Sequence, residues 1–125
     1  MSRVVAITGG ARGIGLATAR ALVADGVQVA IGDLDLAPLP AELGAPAYLL
    51  DVTDPGSFER FVGAVERDLG PLDVLINNAG VLAAGSIADE SDEITRRILD
   101  VNLRGVITGT KIALRSMLPD RKSVV

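Results

Sequence analysis

Short aliphatic runs alternate along this chain with longer stretches of helical spacing, and that alternation sets the expected elements. Arg3 to Ile7 reads as strand one. A helix runs from about Gly13 to Asp25 and stops at Gly26, which suits the position just past a helix end. Strand two is Val27 to Ile31, ending at Gly32-Asp33. The connection from Leu34 to Pro46 carries Pro38 and Pro40, which oppose a long regular helix. Only a short helical turn around Pro40 to Leu43 is expected there. Strand three is Ala47 to Leu50, ending at Asp51.

Thr53-Asp54-Pro55 then supplies an N-cap candidate followed by proline at the first helical position. The helix it opens places Phe58, Phe61, Val62, Val65 and Leu69 on one stripe and stops near Gly70-Pro71. Strand four, Asp73 to Ile76, ends at Asn77-Asn78-Ala79-Gly80. After a loop of small residues a long helix is predicted from about Ser91 to Met117, with Ile94, Ile98 and Val101 on one face. Past the tail from Pro119 to Lys122, Ser123-Val124-Val125 looks like the start of a fifth strand. Strands alternating with helices imply right-handed crossovers and an α/β doubly wound parallel sheet, in the order 3-2-1-4 with strand five cut short. On this reading strand four is an apolar edge with unpaired amides, and so a candidate aggregation site.

Composition agrees. The 125 residues fit one domain, large enough to bury about two-thirds of its unfolded surface. The chain is 49% hydrophobic but only 2% aromatic, as expected of aliphatic strands covered by helices on both faces. A net charge of −4 with no basic cluster argues against a nucleic-acid partner. With no cysteine and no histidine there is no disulfide framework, and zinc is not expected. No apolar run reaches membrane-spanning length, and Met1-Ser2-Arg3-Val4 opens no signal core. The expected protein is soluble and cytoplasmic.

The run Thr8-Gly9-Gly10-Ala11-Arg12-Gly13-Ile14-Gly15 carries the chemistry, because it lies between a strand and a helix. A helix N-terminus offers unpaired amides and the positive end of the dipole to a phosphate. Gly9, Gly13 and Gly15 allow positive φ, close ligand approach and close helix–strand packing. Polar clusters recur at the carboxyl ends of the other strands: Asp33, Asp51-Val52 and Asn77 to Gly80. Open α/β sheets bind ligands along that edge.

The chain resembles the N-terminal half of a short-chain dehydrogenase/reductase, with a Rossmann-type sheet. Thr8, Gly9, Gly13 and Gly15 match a T-G-x-x-x-G-x-G turn, and Asn77 to Gly80 match N-N-A-G. Asp51 is the acid closing strand three, and Val101, Asn102, Leu103 and Gly105 match V-N-L-x-G. The resemblance extends to about Pro119. It implies a dinucleotide held by Thr8, Gly9, Arg12, Gly13, Ile14, Gly15, Asp33, Asp51, Val52, Asn77, Ala79 and Gly80, with Asn102 in the catalytic proton relay. Asp33 would accept hydrogen bonds from the adenine ribose hydroxyls and repel a 2′-phosphate, favouring NAD over NADP; the alternative is a solvated loop acid. Arg12 points the other way, since a base in this turn holds a 2′-phosphate in some relatives, unless it is a plain surface charge. Asp51 would bind the adenine amino group beside the Val52 backbone, or else cap the next helix. Asn77 and Gly80 would line the middle of the cofactor, or form a turn. Asn102 is unusual within a helix, and its alternative is a buried hydrogen-bonding role.

The resemblance also implies residues that do not appear. The family's acid–base pair is Tyr-x-x-x-Lys, preceded by a serine. The sole tyrosine, Tyr48, lies in strand three with Val52 four positions on. The chain therefore reads as a truncated cofactor-binding part, inactive alone. The intact enzyme would move hydride between NAD(H) and an alcohol or ketone, as a homo-oligomer. A non-catalytic NAD-binding module and an inactive fragment are the alternatives.

Overall fold

Residues alternate in direction along the first strand, and this divides the core. In β1 (Val4–Thr8), Val4 and Ala6 face one apolar cluster while Val5 and Ile7 face the other. The computed structural model describes residues 2–118 and 123–125, so the predicted tail from Pro119 to Lys122 lies outside the described residues. Around β1 stand β2 (Gln28–Asp33), β3 (Ala47–Leu49), β4 (Val74–Ile76) and β5 (Ser123–Val124). They form one five-stranded parallel sheet in the order β3-β2-β1-β4-β5. The predicted order 3-2-1-4 holds.

Helix α1 (Gly13–Ala24) covers one face, packing Leu16, Ala19, Leu22 and Val23 near Val5, Ile7, Val29 and Ile31. Gly26, at φ +82°, turns the chain out of it. On the opposite face lie α2 (Pro55–Leu69) and α4 (Gly105–Met117). Asp54 caps α2 by accepting the Gly56 amide, with Pro55 in the first turn. The predicted stripe is its buried side: Phe58, Phe61, Val62 and Val65 are core and Leu69 is partly covered. The proline-bearing connection holds one 3₁₀ turn, Ala41–Leu43, as expected.

Two expectations need correcting. The long helix from Ser91 to Met117 is broken into α3 (Asp92–Leu99), a π-helical segment Asp100–Arg104, and α4. Of the predicted stripe only Val101 is buried; Ile94 is exposed and Ile98 half-buried. The π-helical segment is held by contacts from outside the helix. The Asn102 side chain pairs with the Val81 backbone, and Gly105 lies against Val52, where a Cβ would come within 2.9 Å of Val52 Cγ2. The second correction concerns β4, which is not an unpaired edge. Val74 and Leu75 align with Ser123 and Val124, and the Val125 amide donates to Leu75 O at 2.8 Å.

Candidate functional site

The carboxyl ends of the strands open into a cleft of about 450 Å3. Of the residues predicted for a ligand, Gly9, Arg12, Ile14, Asp33, Asp51, Val52, Ala79 and Gly80 line it. Thr8, Gly13, Gly15, Asn77 and Asn102 do not, and each has another place.

Thr8 is a latch. Only 1% exposed, its Oγ1 accepts the amides of both Asn78 and Ala79 at 3.0 Å, tying the end of β1 to the loop after β4. Asn78 completes the tie, its Nδ2 donating to Thr8 O at 3.1 Å and Gly9 O at 3.0 Å. Within the N-N-A-G element the resemblance gives a cofactor role to Asn77 and none separately to Asn78. Strand parity could have separated them: Leu75, and hence Asn77, faces the α2–α4 side, whereas Ile76 and Asn78 face the α1 side. Asn77 accordingly turns its Nδ2 to Thr110 Oγ1 on α4, at 3.3 Å. It supports the cleft from behind.

The glycines divide the work between conformation and space. Gly9 adopts φ +66° and Gly13 φ +57°, values that side chains resist. Gly15 is needed for room, since a Cβ there would lie 2.5 Å from Gly9 O and 2.6 Å from Asn78 Nδ2. The helix that begins here differs from its neighbours. Arg12 is extended at the N-cap and makes no side-chain cap, and the first turn carries no acid. In contrast, Asp54 caps α2, and Ser91 caps α3 by accepting from the Ile94 amide. The first amides of α1 therefore have no side-chain cap.

The acids are oriented by backbone. Asp33 Oδ2 accepts the Ala11 amide at 3.1 Å, which fixes its carboxylate against the glycine turn. Asp51 Oδ1 accepts both the amide and the hydroxyl of Thr53, at 3.0 and 2.6 Å, while its own amide donates to Ser57 Oγ. The helix cap is Asp54, so the capping alternative for Asp51 does not hold. Arg12 Nη2 lies 3.6 Å from Asp35 Oδ2. Asn102 uses both ends of its amide on Val81: Oδ1 accepts the Val81 amide and Nδ2 donates to Val81 O, each at 2.8 Å. This pairing fixes the chain leaving Gly80. Asn78, Val81, Arg97 and Val101 also line the cleft, although no ligand role was expected of them.

Tyr48 lies away from this cleft. Its hydroxyl donates to Asp68 Oδ2 at 2.7 Å, and partial burial followed by that bond pushes its pKa up to about 12. Arg67 in turn donates to Asp68, which holds the Asp68 carboxyl below its ordinary value.

Known proteins resemble this chain along nearly its whole length. The family model described as short chain dehydrogenase matches residues 3–125. A 3-alpha-(or 20-beta)-hydroxysteroid dehydrogenase of Mycobacterium tuberculosis is 40% identical over 122 residues, which span 94% of this chain and 47% of that protein. Meso-2,3-butanediol dehydrogenase of Serratia marcescens is 37% identical across 99% of this chain and 52% of its own length. The crystal structure of gox2181 superposes with a TM-score of 0.90 at 29% identity, covering 98% of this chain and 52% of that one. The chain thus spans about half the length of the curated relatives it matches. A match along nearly the whole chain, joined to the same parallel sheet, settles the kinship: this chain belongs to the short-chain dehydrogenase family.

Proposed function

We propose that residues 1–125 form the NAD-binding part of an oxidoreductase, and that the whole protein moves hydride between NAD(H) and an alcohol or ketone. The observation that carries this reading is the uncapped start of α1 facing a cleft with a backbone-held carboxylate, Asp33, on its wall. Uncapped amides suit a pyrophosphate, and a fixed carboxylate suits a ribose diol. Asp51 and Val52 on the cleft wall suit an adenine, and Ala79 and Gly80, also on the wall, suit the stretch toward the nicotinamide. The residues present fit the dinucleotide. Bound there, the nicotinamide ring supplies the hydride acceptor or donor. The names of two relatives, a hydroxysteroid and a butanediol dehydrogenase, support a hydroxyl-bearing substrate.

The chain's own residues bind and position. Thr8 and Asn78 hold the two loops of the cleft together, and Asn102 fixes Val81 beside it. In this reading the Asn102 backbone, set in a π-helical segment, joins the proton relay. The only tyrosine is committed to Asp68 outside the cleft, so we expect no turnover from residues 1–125 by themselves. Leu99, Leu103 and Ile107 are exposed at four-residue intervals, which supports a homo-oligomer. Among the described residues no helix is long and apolar enough to cross a membrane.

Isothermal titration of the chain with NAD and NADP tests the proposal. Saturable binding with NAD the tighter ligand is expected, weakened in Asp33→Ala. Absence of binding, or tighter NADP, would overturn it.

A further inference from the structure

We infer that Asp35 helps exclude a 2′-phosphate by occupying Arg12, an inference that rests on the nucleotide-binding reading of the cleft. Arg12 is on the cleft wall together with Asp33. A guanidinium in that place is the group an incoming 2′-phosphate would recruit, through paired N–H donors. Here it is already engaged, with its Nη2 3.6 Å from Asp35 Oδ2. The engagement is directed, because Asp35 Oδ1 accepts the Ala37 amide at 2.9 Å in a local turn that fixes the carboxylate. Asp33 is fixed independently by the Ala11 amide.

Asp35 therefore holds a guanidinium that shares the cleft wall with the Asp33 carboxylate, where the adenine ribose would sit. A ribose hydroxyl can donate to Asp33, whereas an added phosphate meets that carboxylate and an arginine already paired with Asp35. Replacing Asp33 alone leaves Arg12 engaged with Asp35. Replacing Asp35 releases Arg12 toward the cleft. Both side chains of the pair are more than half exposed, at 61% and 59%, so the contact adds little to folding. Its effect should appear in the choice of nucleotide and not in the melting temperature. Asp35 is thus a positioning residue that acts through Arg12.

The test is calorimetric titration of NAD and NADP into the wild-type chain, Asp35→Asn, Arg12→Ala and Arg12→Ala/Asp35→Asn, with thermal melts to verify folding. Wild type should bind NAD more tightly than NADP. Asp35→Asn should tighten NADP by about threefold, the scale of one exposed ion pair, with a smaller change for NAD. That gain should vanish when Arg12 is also replaced. Unchanged NADP binding in Asp35→Asn overturns the inference. So does an equal gain in the absence of Arg12, which would mean direct repulsion by Asp35. A wild type that binds NAD tightly while Asp35→Asn gains nothing refutes this inference alone. A wild type that binds neither nucleotide, or prefers NADP, removes the underlying reading and this inference with it.

Discussion

Replacing Thr8 by valine probes the joint on which the cleft depends. Valine has nearly the shape of threonine, so it leaves no cavity, and by side-chain transfer alone it should favour a site only 1% exposed. What it removes is the hydroxyl that accepts the Asn78 and Ala79 amides, both at 3.0 Å. An amide stripped of its partner costs about 1–3 kcal/mol. Both bonds are only partly buried, so the lower end applies and the two together cost about 2 kcal/mol. The bonds from Asn78 Nδ2 to Thr8 O and Gly9 O survive, because they end on backbone carbonyls. For a domain whose folding free energy is about 5–15 kcal/mol, the loss is readable by urea denaturation as a midpoint lower by about 1 M. Thr8→Ser sharpens the test. It keeps the acceptor and drops only a methyl, at about 1 kcal/mol. Hydrophobicity and volume rank Val above Ser at a buried position, whereas the latch ranks Ser above Val. A Thr8→Val chain as stable as wild type, or more stable than Thr8→Ser, would show that the hydroxyl does not join the two loops.

Other expectations follow from close packing and charge. Gly109→Ala places a methyl against the buried Phe58 ring and 2.8 Å from Asn77 Oδ1, so overpacking of about 1–3 kcal/mol should exceed the helix-propensity gain of about 1 kcal/mol and lower the melting temperature. Gly63→Ala in α2 meets nothing within 4 Å and should raise it by the propensity gain; equal effects of the two changes would refute the close α2–α4 approach. Tyr48, the only tyrosine, should ionise near pH 12 when followed by phenolate absorbance, and earlier in Asp68→Ala. Because its folded pKa is raised, its contribution to stability is complete below the ordinary tyrosine value near 10 and is lost as pH rises toward 12. A midpoint near 10 in the folded chain would remove both statements.

Legibility from sequence follows the range of the forces involved. Strand and helix positions were readable because they rest on local periodicity: every strand was anticipated within a residue or two, and the stripe on α2 became core. The edge that gathers Gly9, Asp33, Asp51 and Gly80 was readable because parallel topology brings all carboxyl ends to one side. The break in the long helix was not. A π-helical segment adds one residue to a turn, a change that periodicity from Ser91 to Met117 averages away. Its stabilising contacts, from Asn102 to Val81 and from Gly105 to Val52, are tertiary. The pairing of β4 with the last residues escaped for another reason: two residues of strand suffice when Val125 adds its amide and carbonyl to the ladder. The different placements of Asn77 and Asn78 are the most instructive case. Both are asparagines at one strand end, so composition cannot choose between them, and a one-residue difference sends one side chain behind the sheet and the other to the glycine turn. The chemistry of the cleft is written in residue types. Its geometry is written in which side of the sheet each residue faces, so Asn78 on the cleft wall and Thr8 behind it shape the cleft by tying the glycine turn to the loop after β4.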